Sequence, residues 1–222
     1  MGRCLPDAAD DFPTRGRSAP KQAIEEDRMG KVVVHKSMSL DGFVTGPDVR
    51  VDQAMGAGGD RLHEWMFVED VDPADAQVAA ENYSTERVGA VLMGRTHFTV
   101  GIGHWGEDGA FRMPCFVVTH RPAEPVVTGP TTFTFVTDGL GAALVRAQDA
   151  AGDKDVNVMG ASISRQLLAA GLVDEVRINL VPVLLGDGAR LFDGLGPDGP
   201  RFERTRVVDS PRATHVTYRV VR

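Results

Sequence analysis

The chain has 222 residues, 42% of them hydrophobic and 25% charged, with a formal net charge of −7. That length buries a core without disulfides or metal, and the acidic balance argues against nonspecific binding to nucleic acid or to an anionic membrane. No window approaches the roughly 18 apolar residues that a membrane span needs, and the N-terminus has no apolar secretion core, so a cytoplasmic protein that is neither exported nor embedded is expected.

Residues 1–28 are rich in Asp, Arg, Pro and Ala without an apolar period. They read as a disordered tail, or as translation from an upstream start codon, ahead of one domain over 29–222. From Lys31 β-type and α-type patterns alternate. Val32-Val33-Val34-His35 suits a strand buried on both faces, with His35 as a hydrogen-bonded core histidine. Residues 39–60 hold Gly42, Gly46, Gly56, Gly58, Gly59 and Pro47, a long segment expected to carry function or to move. Asp72-Pro73 opens a helix running to about Arg87, with Ala76, Ala79, Ala80 and Tyr83 near helical spacing.

The strand 88–93 empties into Gly94-Arg95-Thr96 and a short helix. Backbone N–H groups and the positive end of a helix dipole converge at such a junction, glycine admits close approach, and Arg95 adds a forked cation, so the arrangement suits a nucleotide phosphate. A tight turn with a solvated arginine is the alternative. Two later strands repeat the logic: 114–119 ends in Thr119-His120-Arg121, and 155–159 ends in Gly160-Ala161-Ser162 before a helix to Ala170 that Gly171 closes. Between them lie a loop from Gly101 to Met113 containing Trp105, a strand 132–136 and a helix that Asp138 is expected to cap. Val176–Val181 alternates with period two until Pro182, and segments 202–208 and 213–221 flank Asp209-Ser210-Pro211-Arg212 as an antiparallel hairpin. The expectation is an α/β fold whose sheet is mostly parallel with an antiparallel C-terminal edge. Cys4 and Cys115 are far apart, and no His, Cys, Asp or Glu group has metal-ligand spacing, so no metal is expected.

Ser39-Leu40-Asp41-Gly42-Phe43-Val44, Met93-Gly94-Arg95-Thr96, Val118-Thr119-His120-Arg121, Met159-Gly160-Ala161-Ser162 and Gly171-Leu172-Val173-Asp174-Glu175-Val176, in that order, resemble the dihydrofolate reductase-like family. Within it they are most similar to the reductase domain of the bacterial riboflavin-biosynthesis deaminase-reductase. The resemblance implies a three-layer fold and NADPH as cofactor. Gly94, Arg95 and Thr96 would lie at the phosphates, Thr119, His120 and Arg121 around the 2′-phosphate, and Gly160, Ala161, Ser162 and Ile163 beneath the pyrophosphate. Relatives often carry consecutive glycines where this chain has Ala161 and Ser162. Val44 and Thr45 would sit near the carboxamide, on a loop that excludes water from hydride transfer.

Asp41 is the candidate for orienting substrate or relaying a proton, although Asp-Gly is also a turn signal. Phe43, Trp65, Trp105 and Glu175 are candidate substrate contacts, with a core-capping role open for the indoles and a solvated turn open for Glu175. Glu64, Glu69 and Asp70 are candidates for an acidic grip whose register the sequence does not fix. The implied activity is reduction of a small pyrimidine- or pteridine-like heterocycle by a homodimer, since such relatives pair through their sheets. No deaminase motif is present. A ligand-binding module without turnover, on the same fold, is the alternative.

Overall fold

Runs such as Val32–Val34 and Val156–Val158 are β-branched and do not alternate with polar residues, so they are stable only where both faces of a sheet are covered. In a computed structural model, which describes residues 30–197 and 199–221, both are central parallel strands. The tail expected at 1–28 lies outside the described residues. In chain order the strands are β1 (Val32–Ser39), β2 (Phe43–Thr45), β3 (Val88–Gly94), β4 (Pro114–Val118), β5 (Val126–Thr128), β6 (Thr131–Val136), β7 (Asp155–Met159), β8 (Glu175–Val181), β9 (Ala189–Arg190), β10 (Arg201–Asp209) and β11 (Thr214–Val221). Nine of them form one sheet in the order β10-β11-β8-β1-β7-β3-β4-β6-β5, while β2 and β9 pair separately. The six strands from β8 to β6 run parallel. The C-terminal hairpin β10–β11 closes one edge antiparallel, as expected, and β5 closes the other.

The helices are α1 (Glu64–Phe67), α2 (Pro73–Tyr83), α3 (Arg95–Gly101), α4 (Leu140–Ala151) and α5 (Ala161–Ala169). Two of them, α4 and α5, cover one sheet face, where Ala143, Leu144, Leu167 and Leu168 pack on Val34, Leu92, Val158 and Val176. Fully buried side chains such as Leu92 and Leu167 each contribute roughly 1.5–3 kcal/mol through burial. The opposite face takes α3 with Phe98, Phe111 and Phe133, and then Leu62, Trp65 and the Val78 side of α2. Layers on both faces of the sheet give the three-layer α/β architecture that the resemblance implies.

Three local expectations change. The first concerns α2, which starts as expected: Asp72 accepts the Ala74 N–H at 2.8 Å and Pro73 occupies the first turn. It stops at Tyr83, however, and turns Asp75, Val78 and Asn82 inward, leaving Ala76, Ala80 and Tyr83 exposed. The two inward polar residues meet His215 and Arg177 across the interface, which an apolar-period reading cannot see. The second concerns α4, which is capped by Gly139 at φ 93°, while the Asp138 carboxylate accepts from Arg146 instead. The third is the set of short strands β2, β5 and β9, two or three residues each, which carry too few positions to show a period.

Candidate active site

In an open parallel sheet a ligand crevice opens where neighbouring strands send their connections to opposite faces. Here β1 leads to the α2 face while β7 leads to α5 on the other, and the crevice lies beyond their C-terminal ends. A cleft of about 740 Å³ opens there, within the range of small-molecule sites. Its wall includes Lys36 and Ser37 from β1, Thr45 from β2, His63 and Phe67, His97 from α3, Trp105, and Gly160 with Ala161.

Register sets the three anticipated turns side by side. Met159 pairs with Met93 and Gly94 with Val118, so β7, β3 and β4 end next to one another on the same rim. Gly160 caps α5 at φ 88°, a conformation that suits glycine, with no side-chain hydrogen bond on the first turn. A Cβ there would meet only His97 Cβ at 3.6 Å, so the backbone is open to a ligand. Gly94 begins α3, and a Cβ on it would come within 3.2 Å of Ile163 Cγ1, which ties the two helix starts together. The Arg95 guanidinium lies 4.9 Å from the Phe135 ring centroid and 5.7 Å from that of Phe98. His120 and Arg121 are exposed on the adjacent turn, and Thr96 on its own. Thr119 is buried, its hydroxyl oxygen accepting the Arg121 N–H at 3.1 Å and so shaping that turn.

The cleft wall itself takes in Val44, Thr45, Trp105, Gly160 and Ala161, whereas Gly94 to Thr96, Thr119 to Arg121 and Ser162 lie on the rim beyond it. The Ile163 side chain belongs to the core beneath α5. Trp105 stands in an aromatic cluster, stacked on Phe133 at 5.6 Å and 5.7 Å from the His97 ring.

Four anticipated contacts are placed elsewhere. Trp65 is fully buried and donates its indole N–H to Ser37 Oγ at 2.9 Å, so it supports the cleft floor from below and has no face free for stacking. Phe43 is buried under the Arg190 guanidinium, 4.3 Å from its ring centroid. Glu175 starts β8 at the opposite rim of the sheet, where Arg177 and Lys31 pair with it. Asp41 has its carboxylate committed: it accepts from Ser39 Oγ at 2.6 Å, from the Leu185 N–H at 3.2 Å and from the Gly186 N–H at 2.7 Å. Those donors, the Ser39 hydroxyl first, hold its pKa down at about 2, where relaying a proton at neutral pH is unfavourable. Of Glu64, Glu69 and Asp70, only Glu64 lines the cleft.

The chain's own chemistry in the cleft comes from groups not anticipated. Burial pulls the Lys36 amine down to about 7 and the His97 imidazole down to about 4, the latter with help from the Lys36 and His63 charges. His35 is hydrogen-bonded to Asn179 at 2.8 Å, as a core histidine should be, yet it also touches the cleft; burial first, then Lys36 and Arg177, lower it to about 3. Asn179 continues to His215 at 2.8 Å, and His215 to Asp75 at 2.6 Å, so a buried polar chain supports the floor. Phe67 is 79% exposed on the lip. The sequence cue for Lys36 is an amine in the second half of an otherwise buried strand.

The family model of the RibD C-terminal domain matches residues 30–216. Among solved structures, a Shewanella sp. PV-4 protein described as a riboflavin biosynthesis protein shares 24% identity over 86% of this chain and 99% of its own, with a TM-score of 0.65. The Enterococcus faecalis dihydrofolate reductase complexed with NADP(H) shares 14% over 86% of this chain and 97% of its own, at TM-score 0.55. The Thermotoga maritima diaminohydroxyphosphoribosylaminopyrimidine deaminase/5-amino-6-(5-phosphoribosylamino)uracil reductase shares 15%, at TM-score 0.56, over 87% of this chain but only 57% of its own. No curated protein matches. Among the described residues no helix is long and apolar enough to cross a membrane.

Proposed function

Since the chain belongs to the RibD C-terminal domain family, we propose that it is an NADPH-dependent reductase of a small pyrimidine- or pteridine-like heterocycle, working as a homodimer in the reducing cytoplasm. One observation carries this reading: the ends of β7, β3 and β4 adjoin on a single rim beside the cleft.

The residues fit the cofactor. The uncapped first turn of α5 behind Gly160 offers backbone N–H groups to a pyrophosphate. Arg95, His120 and Arg121 offer cationic and donor groups where a 2′-phosphate differs from a hydroxyl, which favours NADPH over NADH. Val44 and Thr45 line the cleft on the segment expected to close it. A bound dihydronicotinamide would supply the hydride. The protein's own tasks are then to hold the acceptor flat, exclude water and supply a proton, and the apolar lip at Phe67, the Trp105 cluster and the Lys36 region suit these in turn. The relatives' names support the substrate class, since one is a reductase of an aminopyrimidine derivative. The edge strand β10 supports the homodimer, being exposed along nearly its whole length.

Titrating the protein with NADPH while following thermal shift, then adding pyrimidines and pteridines and following absorbance at the nicotinamide band, tests the reading. Saturable NADPH binding with oxidation by at least one heterocycle is expected. Binding without oxidation across the panel would favour a ligand-binding module on the same fold, and no binding at all would remove the cofactor assignment.

A further inference from the structure

Lys36 is a cation in the floor of a cleft whose wall is largely apolar, and its ammonium is held by backbone instead of by a carboxylate. Nζ donates to the Val158 carbonyl oxygen at 2.6 Å and to the His35 carbonyl oxygen at 2.8 Å, across the gap that opens between β1 and β7. A protonated lysine has three N–H bonds, and a neutral one has two and a lone pair. The two carbonyls take two donors in either state, so one position, an N–H or a lone pair, is left for the cleft that Lys36 lines. The proton can therefore leave and return without any change in how the side chain is held.

The groups around it leave that role open. His35 on the same strand, His97 on α3 and His63 at the end of the 3-10 turn Gly59–His63 all have lowered pKa values, burial being the largest cause for each. At neutral pH they are therefore not the protonated groups of the cleft. Asp60 and Glu64 are the carboxylates in the wall, His104 Nε2 meets the Val51 carbonyl oxygen at 2.7 Å, and the Tyr83 phenol, on a residue 42% exposed, stays protonated at neutral pH.

We propose that Lys36 is the general acid of the reduction, so that the reacting bond of the substrate is a polar C=N or C=O and not an isolated C=C. This rests on the reductase reading. As hydride reaches the carbon, the π pair moves onto the heteroatom, the Nζ–H bond breaks toward that atom, and the neutral amine regains a proton from water after product leaves. NADPH becomes NADP⁺, and the substrate gains one hydride, which carries both electrons, and one proton.

The test uses the full chain with Lys36→Met, which keeps an unbranched apolar stem, and Lys36→Arg, whose guanidinium does not deprotonate. General acid catalysis is worth ~10²–10⁴-fold, so kcat should fall by about that factor in Lys36→Met while the NADPH Kd moves by no more than about threefold. In the wild type kcat should fall as pH rises through about 7, and that limb should vanish in Lys36→Met; Lys36→Arg should not rescue it. Independently of turnover, NMR titration of ¹⁵N-lysine protein, with Lys36→Met identifying the resonance, should show one amine well below the ordinary ~10.4. An unshifted Lys36 amine, a surviving alkaline limb in Lys36→Met, or loss of NADPH binding equal to the loss of kcat would each overturn the proposal. Failure of the reductase reading looks different: the wild type itself would leave NADPH unoxidised with every acceptor, and the general-acid role would fall with it.

Discussion

A guanidinium lying against aromatic rings is oriented by them while its N–H edge remains free to bind an anion. Arg95 is held in this way by Phe135 and Phe98, whereas Arg121 projects from a turn that the Thr119 hydroxyl shapes. If both meet a 2′-phosphate, Arg95→Ala and Arg121→Ala should each weaken NADPH binding by about 10-fold or more, as expected for a lost charge-assisted contact of ~1.5–3 kcal/mol, and NADH binding far less. Equal losses for the two cofactors, measured by fluorescence titration, would remove the assignment for the residue concerned. Asp41 illustrates what residue type alone cannot tell. Its carboxylate is a clamp between the β1–β2 turn and the Leu185–Gly186 backbone, and a clamp and a proton relay use the same side chain. Because its folded pKa is depressed to about 2 from 3.8, the stability it contributes is complete above the unfolded value and is lost as pH falls toward 2. Asp41→Asn should therefore be less stable than wild type at pH 6, with the difference shrinking below pH 4; a difference constant down to pH 2 would show that the carboxylate charge is not what the loop uses.

Elements were legible where pattern and punctuation agreed. The strand-to-glycine-to-helix junctions at Gly94 and Gly160 combine a buried apolar run, a residue free of side-chain restriction and a helical start, and all three levels point the same way. The polar inner face of α2 was not legible, because Asp75 and Asn82 are buried only through partners on β8 and β11 that lie far off in sequence. The sequence leaves two readings open for Trp65 and for Glu175 for a related reason: it shows that a residue is in or beside a loop, but not which rim or face the loop serves. Two substitutions test the elements themselves. Asp72→Ala removes the acceptor for the Ala74 N–H and should cost about 1 kcal/mol in urea unfolding. Gly160→Ala has room for its methyl but forces a φ of 88° on an L-residue, so it should cost on the order of 1–2 kcal/mol and weaken NADPH binding as well. Unchanged stability in Gly160→Ala would mean that the turn relaxes to another conformation at no cost.

At the scale of the molecule, the sheet has two ends with different duties. The β7–β3–β4 rim faces the cleft, while at the far edge β10 leaves Phe202 39% and Val207 47% exposed beside an unpaired strand edge. A free edge of this length with apolar side chains is a template for another strand unless something covers it, and a second copy of the chain would cover it symmetrically. Sedimentation should therefore show a dimer, and Phe202→Glu together with Val207→Glu should shift it toward monomer, since strand pairing and the flanking side chains must together bury on the order of 1,000 Å² to hold. A wild type that sediments as a monomer at all accessible concentrations would remove the dimer. Between β10 and the β7–β3–β4 rim lie β11, β8 and β1, so pairing through this edge leaves the rim uncovered. The double variant should accordingly keep its NADPH affinity while losing its partner. If affinity fell in step with dissociation, the second copy would have to contribute to the site itself.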